Sequence, residues 1–212
     1  DELERLDTLS RPFQPEEFLD RYGWLFQSWP ELPDHQEEDY EARAQRVREE
    51  RQNVVEEIYA KGGLPELLSF AKKVERPDAV GFGVAQLDLD EKAESELLSQ
   101  TLDRETASKV LPAEVHLGVG YVSGMYGRKD DAWVNELIDP AQWSGNKLAN
   151  FALGLPTEGP IWNRVAEWSE EAESLYWQRV NARFIEDVER DAERAVSHLL
   201  EAGRPYCAIG LL

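Results

Sequence analysis

Apolar residues recur at helical spacing along most of the chain. Phe18, Leu19 and Tyr22 begin one such segment. A longer segment, polar except for one apolar stripe, ends at Gly62-Gly63. Strictly alternating apolar and polar positions between turn residues, the pattern of a half-buried strand, hardly occur. The pattern therefore predicts an all-α protein. Helices are predicted over 15–29, 36–61, 65–71, 79–87, 91–102, 104–110, 115–125, 130–138, 141–153, 160–168, 170–180, 183–202 and from 205 onward.

Amphipathic helices alternate with helices that begin at a proline and are apolar nearly all round. Arg76-Pro77 precedes one of these, and Arg204-Pro205 precedes another. A helix that is apolar on every side must be covered on every side, which stacked helix pairs achieve. The pattern predicts an irregular α-solenoid of stacked antiparallel helix pairs. Residues 64–212 would form its body, and residues 1–61 an acidic helical cap or a preceding unit.

The helix-pair rhythm, the Arg-Pro turns and the small residues within helices resemble the HEAT/armadillo and tetratricopeptide classes of helical repeat. The resemblance covers roughly residues 64–212 and matches no specific family within those classes. Such proteins generally serve as scaffolds and partner-binding surfaces. The resemblance therefore implies binding rather than chemistry.

The formal net charge of -20 changes which partners are expected. Phosphate backbones and anionic membrane surfaces both require clustered Lys and Arg, so nucleic acid and membrane partners are disfavoured. No apolar stretch approaches the roughly 20 residues of a membrane span, and the first residues do not match the pattern of a signal peptide. The acids either solvate the surface or form a face for a basic protein partner.

One cysteine, Cys207, rules out an intrachain disulfide, which fits a reducing, cytoplasmic location. Cys207 lies in an apolar run and is expected to be a small buried hydrophobe. The chain begins without Met and ends on Ile209, Gly210, Leu211 and Leu212, which is typical of the middle of a buried helix. We therefore expect a domain of a longer protein, and the remainder of that chain is a possible partner.

Motifs for catalysis, cofactors and metals are not matched. Gly81-x-Gly83 and Gly118-x-Gly120 lack the third glycine of a dinucleotide fingerprint. Gly120 and Gly124, four residues apart, instead predict close helix packing. His35, His116 and His198 are far apart in sequence, and Asp88-Leu89-Asp90 is interpreted as a helix start with Asp90 as N-cap rather than a calcium loop. No catalytic residue, cofactor or metal is predicted.

Aromatic residues concentrate between residues 121 and 177, where they either line a groove for a partner or pack the core. The residues predicted as partner contacts are Tyr121, Tyr126, Arg128, Trp133 and Trp143. Tyr126 and Arg128 are the least core-like of these, since they precede Asp130-Asp131 at a predicted helix end.

The leading hypothesis is a non-enzymatic helical-repeat module that binds a protein partner. The alternative is an α-helical enzyme or ligand-binding domain, glycosidase-like, with a pocket lined by carboxylates and Trp. That alternative predicts a deep cavity where two acids converge with strongly shifted pKa values. A third hypothesis, a structural spacer, predicts uniformly polar exposed faces.

Overall fold

The computed structural model describes residues 17–31, 39–105, 110–182, 185 and 187–211. These residues are predominantly helical and form no strand, apart from an isolated bridge between Thr157 and Ile185. The all-α prediction is confirmed for this part of the chain. Its helices are α1 (Phe18–Tyr22), α2 (Tyr40–Ala71), α3 (Pro77–Val84), α4 (Glu91–Leu102), α5 (Ala113–Leu137), α6 (Gly145–Ala152), α7 (Gly159–Trp168), α8 (Glu170–Arg179), α9 (Val188–Glu201) and α10 (Pro205–Ile209).

The chain divides into two compact units, Asp1–Arg76 and Pro77–Leu212. In the first unit a 3₁₀ turn, Gly23–Phe26, follows α1, and the Phe26 ring meets Phe70 edge-on at 5.2 Å. The predicted helix end at Gly62-Gly63 is a kink inside α2, where Gly63 has φ 62° before Pro65 restarts the helix. The assignment of 1–61 as a cap and 64–212 as a repeat body stays a prediction.

In the second unit, α3 packs against α5 with almost no side chain between the two backbones. A Cβ at Gly81 would lie 1.9 Å from the Leu117 carbonyl oxygen, and one at Gly120 would lie 2.0 Å from the Asp78 oxygen. A Cβ at Gly124 would lie 2.5 Å from the Ala85 Cβ. The prediction that Gly120 and Gly124 serve close helix packing is confirmed.

Helix α6 lies at the centre of the second unit and contacts α4, α5, α7 and α8. Its Leu148, Ala149, Phe151 and Ala152 are fully buried. Three indole rings, those of Trp133, Trp143 and Trp168, surround the Phe151 ring at centroid distances of 5.5, 5.6 and 6.3 Å. Much of the aromatic cluster therefore builds the core.

Several helix boundaries agree with the sequence prediction and others differ. Helix α4 spans the predicted residues, and Asp90 caps it by accepting a hydrogen bond from the Ala93 N–H at 2.7 Å. The predicted helices over 115–125 and 130–138 form the single α5, kinked at Asp130 with φ 54°. The helix predicted from residue 141 begins at Gly145, because the Ser144 hydroxyl accepts from the Lys147 N–H.

Some predictions fall partly outside the described residues: the helices over 15–29, 36–61, 104–110 and 183–202, the first part of the acidic cap, and His35. The stacking of helix pairs into a solenoid stays a prediction. Within the described ranges, no helix combines the length and apolar character needed to cross a membrane.

The final helix corrects one expectation. Helix α10 was expected to be covered on every side, but only Ala208 is buried, while Tyr206 and Ile209 are 89% and 65% exposed. Cys207 is exposed rather than buried. The same Pro-initiated apolar pattern is thus buried at α3, where α5 lies against it, and open at α10.

The glycine contact predicts a large difference between two Gly→Ala substitutions in the second unit. Gly81→Ala places a methyl group against the α5 backbone and is expected to lower the free energy of unfolding by roughly 1–3 kcal/mol. Gly127→Ala has nothing within 4 Å of the new methyl and is expected to be neutral or stabilising by up to about 1 kcal/mol. Urea unfolding followed by circular dichroism measures both, and equal midpoints would contradict the close packing of α3 on α5.

Candidate functional site

Two of the predicted partner contacts, Tyr121 and Trp133, meet at the carboxylate of Glu94. Glu94 Oε1 accepts from the Tyr121 hydroxyl at 2.7 Å and from Trp133 Nε1 at 3.2 Å. Burial, followed by the hydrogen bond to Glu94, raises the pKa of Tyr121 well above its usual range. Tyr121 and Trp133 are only 2% and 5% exposed. These rings belong to the core that joins α4 to α5, and they do not offer a partner an open surface.

Arg128 also has a structural contact. Its Nη1 donates to the carbonyl of Ala85, the residue after α3 ends, and its Nη2 lies 4.0 Å from Asp88 Oδ1. A guanidinium on the last carbonyls of a helix satisfies acceptors that have no partner within the helix. Arg128 therefore closes α3, and replacing it would disturb that helix end as well as any surface contact.

Tyr126 and Trp143 are half-buried and keep part of their rings at the surface. Burial, together with the nearby carboxylate of Asp131, raises the pKa of Tyr126. Lys147 Nζ lies 4.4 Å from the centroid of the Trp143 ring, in a cation–π contact. The rings of Trp143 and Trp133 both pack against the Phe151 ring, whereas Tyr126 lies beside Asp131.

A second polar centre, missed in the sequence, surrounds the fully buried Asn150 of α6. Its Nδ2 donates to the Leu102 carbonyl at 2.9 Å, and its Oδ1 accepts from Arg179 Nη1 at 2.7 Å. One turn earlier, Asn146 donates to the Leu102 and Arg104 carbonyls. Burial lowers the pKa of Arg179. The two Asn side chains thus satisfy carbonyl groups at the C-terminal end of α4. The sequence feature that could have indicated this centre is a pair of Asn residues four positions apart in an otherwise largely apolar helix.

Asp191 of α9, also missed in the sequence, is the third buried polar centre, at 5% exposure. It accepts from the Gly159 N–H at 2.9 Å and from Arg190 Nε and Nη2 at 2.9 and 2.5 Å. The hydrogen bonds from Arg190, followed by the one from Gly159, lower the pKa of Asp191 despite its burial. The carboxylate thus binds the N-terminal end of α7, where a negative charge is favoured.

The remaining aromatics pack together between α7, α8 and α9. The Trp177 ring stacks on His198 at 4.6 Å with an interplanar angle of 9°, and Trp162 meets Trp177 edge-on at 5.0 Å. Trp162 Nε1 donates to the Tyr176 hydroxyl at 3.2 Å, and burial raises the pKa of Tyr176. These rings form a second part of the core.

The glycosidase-like alternative, which expects two acids converging in a deep cavity, stays a prediction, and two of the most buried carboxylates are engaged by groups of the fold. Glu94 holds Tyr121 and Trp133, and Asp191 holds Gly159 and Arg190. A surface depression of 620 Å³ is lined only by residues of α4: Glu91, Lys92, Ser95, Glu96, Ser99 and Gln100. Among the described residues, no group of three or more His, Cys, Asp or Glu is arranged to hold a metal ion.

Three large apolar side chains are exposed where α9 turns into α10. Gly203, with φ 71°, ends α9 in a Schellman motif, since its N–H donates to the Leu200 oxygen and that of Arg204 donates to the Leu199 oxygen. Arg204 then points inward, with Nη1 bonded to the Trp177 and Val180 carbonyls. Leu200, Tyr206 and Ile209 are left 54%, 89% and 65% exposed.

Comparison with known proteins adds no relative: no family model matches the chain, and neither curated proteins nor solved structures show significant similarity to it. The resemblance to helical repeats stays a prediction. The function is therefore argued from the contacts and exposures above.

The Glu94 contacts predict that this carboxylate stabilises the fold. Glu94→Ala removes the acceptor of two buried donors and is expected to lower the free energy of unfolding by about 1–3 kcal/mol. Glu94→Gln keeps an acceptor oxygen and should lose less. The exposed Glu96→Ala, on the outer face of the same helix, is the control and should change stability by less than about 0.5 kcal/mol. Equal urea midpoints for Glu94→Ala and Glu96→Ala would contradict this role.

The lowered pKa of Asp191 predicts a pH-dependent contribution to stability. Because its pKa is lower in the folded than in the unfolded chain, the contribution is present above the unfolded value of about 3.9 and is lost as the pH falls through the folded value. Asp191→Asn should therefore be less stable than the wild type at pH 7, and the difference should shrink in acid. Urea midpoints measured from neutral pH to below about pH 4 test this.

The control for that measurement is the exposed Glu189→Gln on the same helix. Its difference from the wild type is expected to be small at every pH. A gap between Asp191→Asn and wild type that stays constant across the pH range would show that the charge of Asp191 is not what stabilises α7 against α9.

Proposed function

We propose that this chain is a non-enzymatic interaction module that binds a protein partner through exposed apolar side chains of its second unit. The observation that carries the proposal is the exposure of Leu200, Tyr206 and Ile209 within ten residues of one another. Large apolar side chains grouped at a surface are typical of interaction sites. A tyrosine is well suited to anchor one, since its ring buries a large area and its hydroxyl stays polar.

The contacts made by three buried or partly buried polar side chains support the same proposal. Glu94, Asn150 and Asp191 each bind groups of neighbouring helices and hold those helices together. An enzyme requires such groups to face a substrate. In this chain their hydrogen bonds are directed at helix ends and buried rings.

The proposed partner is a protein, either a basic one or the remainder of a longer chain, and not a nucleic acid or a membrane. The net charge of -20 supports a cationic partner and opposes polyanionic ones. We propose the cytoplasm as the compartment, because a single cysteine leaves the fold independent of disulfides. Tyr126 and Trp143 keep exposed ring area and are proposed as additional contacts.

Affinity capture from a lysate of the source organism tests the proposal. The wild-type chain is compared with Tyr206→Ser/Ile209→Ser, with Tyr126→Ser, and with the control Tyr40→Ser, which alters a 75% exposed ring of the first unit. We expect a protein captured by the wild type and by Tyr40→Ser, and capture reduced by about tenfold, equivalent to 1.4 kcal/mol, with Tyr206→Ser/Ile209→Ser.

Circular dichroism first establishes that each variant is folded. No specific protein captured by the wild type at low or moderate salt would overturn the proposal. Equal capture by the wild type and all three variants would show that Tyr206, Ile209 and Tyr126 do not contact the partner.

A further inference from the structure

Apolar side chains are exposed both on α9 and on α10, which follows it after the turn at Gly203. Ala192, Val196 and Leu200 recur every four residues and so lie along one side of α9, where the first two are half-buried and the third is exposed. Asp191, Ala195 and Leu199 form the neighbouring, buried row. Val196, Leu200, Tyr206 and Ile209 are named here the α9–α10 surface.

Acidic side chains border this surface. Glu189 and Glu193, four residues apart, are exposed on the side of α9 next to Ala192, Val196 and Leu200. Glu201 does not belong to this border, because its carboxylate lies 3.5 Å from Nδ1 of His198, the ring that stacks on Trp177. The border therefore carries two exposed carboxylates, those of Glu189 and Glu193.

The arginines of the same region form hydrogen bonds with other groups of the chain. Arg190 binds Asp191, Arg194 Nη1 donates to Asn163 Oδ1 at 2.6 Å, and Arg204 donates to the Trp177 and Val180 carbonyls. Arg179 likewise donates to the buried Asn150. These guanidinium groups are thus paired within the chain, Arg190 at the surface and Arg179 and Arg204 partly buried, while Glu189 and Glu193 are exposed.

We infer that the α9–α10 surface binds an amphipathic helix of a partner protein, with apolar side chains against Val196, Leu200, Tyr206 and Ile209 and Lys or Arg side chains against the glutamates. Amphipathic helices bind apolar grooves in this way, and opposite charges at the border fix orientation and partner choice. The inference rests on the proposed function and specifies its partner.

A second copy of the chain fits the same surface poorly. Two identical copies would bring the same glutamates towards one another, and each copy carries a net charge of -20. Like charges placed together at an interface disfavour association. A helix with basic flanks meets both the apolar row and its acidic border.

The test uses a synthetic, fluorescein-labelled helical peptide of Leu and Lys, about five turns long, with Leu at the i, i+3, i+4 and i+7 positions. Two control peptides accompany it: one of the same composition with the Leu positions scrambled, and one with the same pattern but Glu in place of Lys. Binding to the full chain is measured by fluorescence anisotropy at about 50 and 300 mM NaCl, which changes the screening length.

We expect the patterned Leu/Lys peptide to bind at least about tenfold more tightly than either control peptide, and Tyr206→Ser/Ile209→Ser to weaken it by about tenfold. Glu189→Gln/Glu193→Gln should weaken it by roughly threefold at low salt and less at high salt. The charge-matched control is Glu136→Gln/Glu167→Gln, which removes two exposed carboxylates from α5 and α7 and should have a smaller effect.

Equal binding of the patterned and scrambled Leu/Lys peptides would overturn the inference, because charge alone would then explain binding. Equal binding of the Glu peptide would overturn the basic character of the partner. Self-association of the wild type in sedimentation, lost in Tyr206→Ser/Ile209→Ser, would assign the surface to a second copy. If lysate capture depends on Tyr206 and Ile209 but the Leu/Lys peptide does not bind, the proposed function stands and this inference falls.

Discussion

The close approach of α3 to α5 is the constraint on which the second unit depends. At Gly81 and Gly120 a backbone carbonyl of the opposite helix occupies the space where a Cβ would lie. The same helix α5 presents Gly118 to the side chains of Thr101 and Leu102, so it is packed tightly against α4 as well. Dense packing of this kind tolerates little added volume. The position of α5 in turn places Tyr121 and Trp133 against Glu94.

Buried polar side chains then fasten the helix ends to one another. Asn150 satisfies the end of α4, Asp191 the beginning of α7, and Arg204 the end of α8. Each of these side chains forms a hydrogen bond with a backbone group at a helix end, which has no partner within its own helix. The polar groups of Asn150, Asp191 and Arg204 are therefore engaged within the fold, whereas the apolar side chains of Leu200, Tyr206 and Ile209 remain exposed.

Helices α3 and α10 have similar sequence patterns but differ in burial. Both begin at an Arg-Pro pair and continue with small and apolar residues. Helix α3 is largely buried because α5 lies on it, whereas most of α10 is open to solvent. Burial depends on what packs against a helix, and a local pattern does not contain that information. The same reasoning applies to the aromatics: Tyr121 and Trp133 are core, while Tyr126 and Trp143 keep surface.

By itself the sequence determined the helical class, the bounds of α4 with its Asp90 cap, and the packing role of Gly120 and Gly124. These features follow from periodicity, capping chemistry and the absence of a side chain, which act over a few neighbouring residues. Only the tertiary structure decided that Arg128 closes α3, that Asn150 and Asp191 are buried hydrogen-bonding centres, and that Tyr206 and Ile209 face solvent. Those outcomes depend on partners tens of residues away in the chain, and the physical reason is that burial and hydrogen bonding are completed between helices rather than within them.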